Sequence, residues 1–272
     1  MRKVESVLIT GTTSGVGRAL LEHYAKGGAR VVAVNRRRVA ELEAQFPSVR
    51  FECADVRSAQ QVERLVHGLA ESAQLPRAFI LNAGINRVDN DQAFELASYR
   101  EVIDTNLYGV LNFVQPLTQS PTGHVVRHVI AISSMANYVG NPYGLGYCTS
   151  KRALTMCFDV WSRMYAETDL VFQQVMLGPV PTAMYSMTDQ FPAWMARIRG
   201  LCCISPEQTV QAISRFALTR RKKLFIPWRG VPLYLSMWLG QSLIPGFFQG
   251  RKTLAGKVRR KPGPTHDASR DE

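Results

Sequence analysis

Short apolar runs that do not alternate constrain this chain more than any other feature. Residues 6–10, 30–35, 49–53, 78–82, 125–133 and 170–177 are β-rich, and the second contains the uninterrupted run VVAV. A strand with one wet face alternates apolar and polar residues, whereas an unbroken run implies a strand covered on both faces. Stretches with helical spacing lie between these runs, at 16–26, 60–73, 94–117, 149–168 and 206–219. Gly27 and Gly28 offer a natural stop for the first of them. A last short strand is expected at 224–227. This alternation predicts an α/β fold, with one doubly wound parallel sheet forming a single domain.

Composition narrows the function. With 46% hydrophobic residues among 272, the chain can bury a substantial core. Lysine and arginine exceed the acids by 33 to 21, for a net charge of +12. Such an excess suits nucleic acid, an anionic membrane or a phosphorylated ligand. The basic residues fall into separate groups at 36–38, 220–223 and 251–261, with no aromatic-interleaved basic face, so no nucleic-acid partner is expected. The five cysteines form no CxxC pair and no zinc-like spacing with histidine, so reduced thiols and no metal are expected. The opening MRKVESVLITG reads as strand rather than signal peptide, which points to the cytoplasm. The main domain is taken to span 1–227, followed by an apolar extension at 228–255 and a charged, disordered tail at 256–272.

Two local motifs carry chemistry. TGTTSGVG, residues 10–17, closes the first strand and opens the first helix. Glycines there permit a tight turn and close backbone approach, and the helix N-terminus attracts a pyrophosphate. YCTSK sets Tyr147 four residues before Lys151, on one face of a helix. A cation beside a phenol favours the phenolate and lowers its pKa, which tunes the group toward acid–base work.

Taken in order, the motifs resemble the short-chain dehydrogenase/reductase family over residues 4–227. TGTTSGVG is similar to that family's cofactor turn, with Gly11, Thr13, Ser14, Gly15, Val16 and Gly17 as cofactor-binding residues. ADVRS supplies Asp55 and Val56 for the adenine, and LNAGI supplies Asn82, Ala83 and Gly84. DTNLYG, AISSMA and YCTSK supply Asn106, Ser134, Tyr147 and Lys151, and the step 147 − 134 = 13 matches the family spacing. The resemblance implies a Rossmann-type fold and carbonyl reduction with Tyr147 as general acid. It also implies that Lys151 lowers the Tyr147 pKa and holds the nicotinamide ribose. Ser134 would steady the substrate oxygen, and Asn106 would help retain a water leading from Lys151 to solvent. Strand alternation sends Ser133 and Ser134 to opposite faces, so only one can serve.

Cofactor choice follows from the end of the second strand. NAD users commonly place an acid there for the ribose 2′-hydroxyl. Here Asn35 is followed by Arg36-Arg37-Arg38, and arginine forms forked, charge-assisted bonds to a 2′-phosphate. NADP(H) is therefore the expected cofactor, held by Asn35, Arg36 and Arg37, with Arg38 read as a solvated charge. VMLGPVPTAM departs from the family pattern by placing Leu177 where proline is usual, but keeps Gly178, Val180 and Thr182 for the nicotinamide.

Residues 183–201 resemble the family's variable substrate loop. Met184, Met187, Phe191, Trp194 and Met195 make it suited to a lipophilic, long-chain substrate. Residues 228–248 are apolar with Arg229 as the single charge, but Pro232 and Pro245 argue against a membrane-spanning helix. Flanking aromatic and basic residues suit peripheral membrane contact instead, and packing over the pocket or a subunit interface is the alternative. A homodimer or homotetramer through the stretches 94–117 and 149–168 is expected from the resemblance. The rival to an NADPH-dependent reductase is a non-catalytic dinucleotide-binding or membrane-associated regulatory protein, against which the intact Asn106, Ser134, Tyr147 and Lys151 argue.

Overall fold

The computed structural model describes residues 4–87, 94–119, 125–138, 144–182, 203–232, 235–236 and 239–240. Seven parallel strands form one sheet: β1 (Ser6–Thr10), β2 (Arg30–Asn35), β3 (Arg50–Cys53), β4 (Ala78–Leu81), β5 (Arg127–Ser134), β6 (Leu170–Leu177) and β7 (Lys223–Ile226). Their spatial order is β3-β2-β1-β4-β5-β6-β7, so the direction of winding reverses between β1 and β4. In open α/β sheets such a reversal leaves a crevice at the carboxyl ends of the strands.

The unbroken apolar runs are explained by two cores. Val7 and Ile9 of β1 join one cluster with Leu20, Leu21 and Tyr24 of α1 (Gly15–Lys26) and Val210, Ile213 and Phe216 of α7 (Pro206–Phe216). Leu8, between them in sequence, faces the other side. There it meets a layer built by Val62, Val66 and Leu69 of α3 (Ala59–Glu71), Phe113 of α5 (Gly109–Gln119) and Phe158 of α6 (Leu145–Met164). Each fully buried side chain of this size contributes about 2 kcal/mol. Ser58 caps α3 and Ser205 caps α7, each accepting from a backbone N–H, and Pro206 fits the first turn of α7.

Several boundaries depart from the sequence reading. A six-residue helix, α2 (Ala40–Gln45), follows the arginine run unforeseen; it is mostly polar and buries Leu42 alone. The helix expected at 149–168 begins at Leu145 and ends at Met164. Tyr147 therefore sits in its first turn, inside the helix. The stretch 94–117 is not a regular helix: α4 (Leu96–Ile103) passes through a π-helical turn at Asp104–Tyr108 before α5 begins. Residues 183–201, the tail 256–272 and most of 228–255 lie outside the described residues. Among the described residues, no helix is long and apolar enough to cross a membrane.

Candidate active site

The glycine turn is shaped by close approach. Gly11 has φ +72°, and a Cβ there would lie 2.9 Å from the Ala83 Cα at the end of β4. At Gly17 a Cβ would come 2.0 Å from the Gly11 carbonyl oxygen and 2.5 Å from Asn82 Nδ2. Neither position leaves room for a side chain. Asn82 ties the two strand ends together, its Nδ2 donating to the carbonyls of Thr10 at 3.0 Å and Gly11 at 3.2 Å. The Thr10 hydroxyl accepts from the backbone N–H groups of Asn82 and Ala83. Asn82 and Ala83 are thus structural partners of the turn, while Gly84 lies against Asn106, whose Oδ1 would sit 3.2 Å from a Cβ there.

Thr13 and Ser14 are exposed at the N-terminus of α1, whose first turn holds no acidic residue. The positive end of the helix dipole therefore faces the crevice with no carboxylate beside it. Thr182 is brought to the same place: a Cβ on Gly15 would sit 3.4 Å from its Cγ2. A cradle with bare backbone, a helix N-terminus and a hydroxyl residue across from it fits a pyrophosphate leading to a nicotinamide ring. Val16 is half-buried in the first turn, and Val180, just before Thr182, is buried in the core. Gly178 continues β6, its N–H bonded to the Ile226 carbonyl at 2.7 Å.

Asn35 does not face the crevice as a free ligand. It is 8% exposed, and its Oδ1 accepts the Thr12 N–H at 2.8 Å while Nδ2 bonds the Thr12 hydroxyl at 2.9 Å. Its amide braces the turn from within. Arg36 and Arg37 are exposed and have no ion-pair partner among the described residues. Arg38 is engaged by Glu43 of α2 through two bonds, at 3.1 and 2.7 Å.

Asp55 brings a residue that sequence reasoning missed. Arg57 grips its carboxylate, with Nη2 at 2.6 Å and Nε at 3.0 Å from the oxygens. The Arg57 hydrogen bond holds the Asp55 carboxyl below its ordinary range, and Arg36 adds to the effect. The i, i+2 spacing in DVR was the available signal. Val56 is buried, and its Cγ2 would lie 2.8 Å from a Cβ on Gly109, so the helix after the π turn can approach only because glycine stands there.

The four expected catalytic residues converge at the carboxyl ends of β4 and β5. Asn106, fully buried in the π turn, clamps the backbone of Ile85: its Oδ1 accepts the N–H at 2.8 Å and its Nδ2 donates to the carbonyl at 2.9 Å. The second Nδ2 hydrogen goes to Ser150 Oγ at 3.1 Å, and Ser150 donates to the Tyr147 carbonyl at 2.7 Å. Ser150, absent from the sequence-derived set, therefore links the π turn to the first turn of α6. Of the two serines, Ser133 turns inward to Thr155 at 3.2 Å, whereas Ser134 Oγ donates to the Leu177 carbonyl at 3.4 Å and pulls the Tyr147 phenol toward a lower pKa.

Lys151 is 5% exposed; its Nζ donates to the Ile132 carbonyl at 2.8 Å and lies 5.7 Å from the centre of the Tyr147 ring. Burial lowers its pKa from 10.5 to about 8. The Tyr147 phenol is pushed above its ordinary value by burial, with the Ser134 bond pulling it down and Cys148 adding to the rise. Burial sets the net direction, against the lowering that a neighbouring ammonium alone would produce. Desolvation of the phenol outweighs the pull of the nearby ammonium. The pair stays an acid at neutral pH, which suits donation of a proton. Among the described residues, no group of His, Cys, Asp or Glu is placed to hold a metal.

The short chain dehydrogenase family matches residues 5–192. The chain is 24% identical over 273 residues to dehydrogenase/reductase SDR family member 7B of Xenopus laevis, an alignment covering 94% of this chain and 83% of the relative. It is 31% identical over 157 residues to the NADPH-dependent pterin aldehyde reductase of Arabidopsis thaliana, covering 55% of this chain and 64% of that protein. A short-chain dehydrogenase from Streptomyces avermitilis shares the fold, with TM-score 0.74 at 19% identity over 89% of this chain and 94% of that one.

Proposed function

The chain belongs to the short chain dehydrogenase family and is an NAD(P)-dependent oxidoreductase, and we propose that it uses NADPH to reduce a ketone or aldehyde on a lipophilic, long-chain substrate. The observation that carries this reading is the convergence of buried Asn106 and Lys151 on the first turn of α6, where Lys151 Nζ lies 5.7 Å from the Tyr147 ring and Asn106 is tied through Ser150 to the Tyr147 backbone. The nicotinamide cofactor supplies the hydride when bound. Tyr147 Oη donates its proton to the oxygen of the substrate carbonyl as negative charge develops there. Ser134 Oγ donates a hydrogen bond to the same oxygen. Lys151 restores charge balance as the phenol gives up its proton, and Asn106 holds the strand end and α6 in register through Ile85 and Ser150. The glycine turn and the α1 N-terminus would hold the pyrophosphate, Thr182 would meet the nicotinamide, and Asp55 would meet the adenine.

The NADPH dependence of the Arabidopsis relative supports the coenzyme, as do Arg36 and Arg37 beside the adenosine end of the crevice. A lipophilic substrate is supported by the apolar composition of residues 183–201. The test is NADPH oxidation against carbonyl compounds of increasing chain length. Turnover should rise with length; consumption of no carbonyl, or of polar sugars alone, sinks the proposal.

The proposal extends to assembly and location. Met156, Val160 and Met164, four apart on α6, are exposed at 60, 38 and 68%, which supports a homodimer through that face. Trp228, Leu235 and Leu239 are exposed as well, at 71, 53 and 43%, and Arg229 stands beside them. Aromatic and basic groups together suit the headgroup layer of an anionic bilayer. Intact protein is expected to float with anionic vesicles at low salt, and to lose flotation at high salt or on truncation after Pro227. Light scattering should give a dimer both before and after truncation. Protein left in the soluble fraction at low salt, or a monomeric mass, counts against the corresponding part.

A further inference from the structure

Tyr147 and Lys151 begin a stripe that recurs every fourth residue along α6 and continues as Thr155 and Asp159. The apolar side chains of this helix, Leu154 and Phe158, hold it against the sheet by burial. Burial is non-directional, and on its own it tolerates sliding along the axis. Directional bonds must set the register.

The far end of the stripe supplies them. Asp159 divides its carboxylate between two strands: Oδ1 accepts from Gln174 Nε2 of β6 and Oδ2 from Lys223 Nζ of β7, both at 2.8 Å. Gln174 is 1% exposed, and the same Nε2 also donates to the Thr155 carbonyl at 3.2 Å. Thr155 Oγ1 in turn donates to the Lys151 carbonyl at 2.8 Å and accepts from Asn137 Nδ2 at 2.7 Å. Both Nε2 hydrogens of Gln174 thus go to α6, while its buried Oε1 has no partner among the described residues. An apolar side chain would fill this strand position and strand no acceptor. A glutamine there is explained by what it holds. Three residues on, β6 ends at Leu177, whose carbonyl accepts from Ser134 Oγ, and the chain proceeds to Thr182 beside the glycine turn.

We infer that Asp159, acting through Gln174, is a positioning residue that fixes the register of α6 against β6, so that Tyr147 and Lys151 meet Ser134 and the cofactor crevice. The inference rests on the proton-donating role given above to Tyr147. Twelve residues separate Tyr147 from Asp159, roughly 18 Å of helix, so Asp159 touches no substrate. Its effect travels through a stiff helix, and a displacement near ~1 Å at a reacting group can cost up to ~100-fold.

Three variants test the tether. Asp159→Ala removes both bonds and should lower kcat about tenfold while the KM for NADPH stays within about twofold. The primary isotope effect with 4-deuterated NADPH should rise as hydride transfer becomes limiting. Asp159→Asn keeps an oxygen for Gln174 and gives up the Lys223 ion pair, so it should restore near-wild-type kcat. Gln174→Met removes the bond from the strand side at similar volume and should reproduce the loss, so the result does not hang on the folding of one variant. A readout without turnover is the titration of 13C-labelled Tyr147, identified by its disappearance in Tyr147→Phe. It should shift in Asp159→Ala and Gln174→Met and stay in place in Asp159→Asn. A shift with a wild type that reduces no carbonyl would overturn the proposed activity and leave the tether standing. Unchanged titration and unchanged kcat in folded Asp159→Ala and Gln174→Met would overturn the tether, as would equal damage in Asp159→Asn.

Discussion

Tyr147→Phe is expected to bind NADPH within a fewfold of wild type and to turn over at least ~100-fold more slowly. The substitution deletes one hydroxyl and keeps the ring that lies 5.7 Å from Lys151 Nζ. Ser134 keeps its contact with the Leu177 carbonyl, so the crevice need not rearrange. What disappears is the phenolic hydroxyl assigned to deliver a proton to the substrate oxygen. Lys151→Met, by contrast, should damage both turnover and cofactor binding, because it also removes the bond to the Ile132 carbonyl. The pH profile carries a second signature. With Lys151 at about 8, carbonyl reduction should decline above that pH as the ammonium loses its charge. The phenol, raised by burial, is still protonated in that range and does not cause the decline. Wild-type turnover by Tyr147→Phe on the best substrate would remove this mechanism.

Arg36→Ala should weaken NADPH by about tenfold to a hundredfold, the worth of a hydrogen bond to a charged group, and leave NADH nearly unchanged. The reasoning is one of elimination among three arginines. Arg38 is committed to Glu43. Arg57 is committed to Asp55. Arg36 lies close enough to influence the Asp55 carboxyl and is exposed at the end of β2, where a 2′-phosphate would lie. Arg37→Ala should show a smaller effect of the same sign. Fluorescence titration with both dinucleotides reads the ratio directly. An equal loss of the two affinities, or a wild-type preference for NADH, would refute the assignment.

The sheet was legible because burial on both faces writes itself into sequence as unbroken apolar runs, as in VVAV of β2 and AFIL of β4. The glycine turn was legible because steric exclusion at Gly11 and Gly17 admits one residue type. Other features left no such trace. The helix α2 rests on a single buried leucine, too little for a periodic signal. The π turn around Asn106 depends on the clamp to Ile85, a contact 21 residues away that propensity cannot foresee. The direction of the Tyr147 shift depends on desolvation of the phenol, which spacing alone does not reveal. The choice between Ser133 and Ser134 fell between these cases. Alternation required that one be excluded, and the Thr155 contact identifies which.

The buried amide of Asn35 has a consequence for anyone who wishes to exchange one coenzyme for the other in this scaffold. Its position at the tip of β2 is where an acid would ordinarily be grafted to favour NADH. Here that side chain braces the loop through Thr12 from a nearly solvent-free position. A grafted carboxylate would have to give up its hydration, a cost unrelated to which dinucleotide is chosen. Retargeting at position 35 is therefore confounded with integrity of the loop. Positions 36 and 37 carry exposed side chains without that duty. In a combinatorial library the selective information lies at those two sites, and randomising position 35 with them would discard folded members before coenzyme preference could be read.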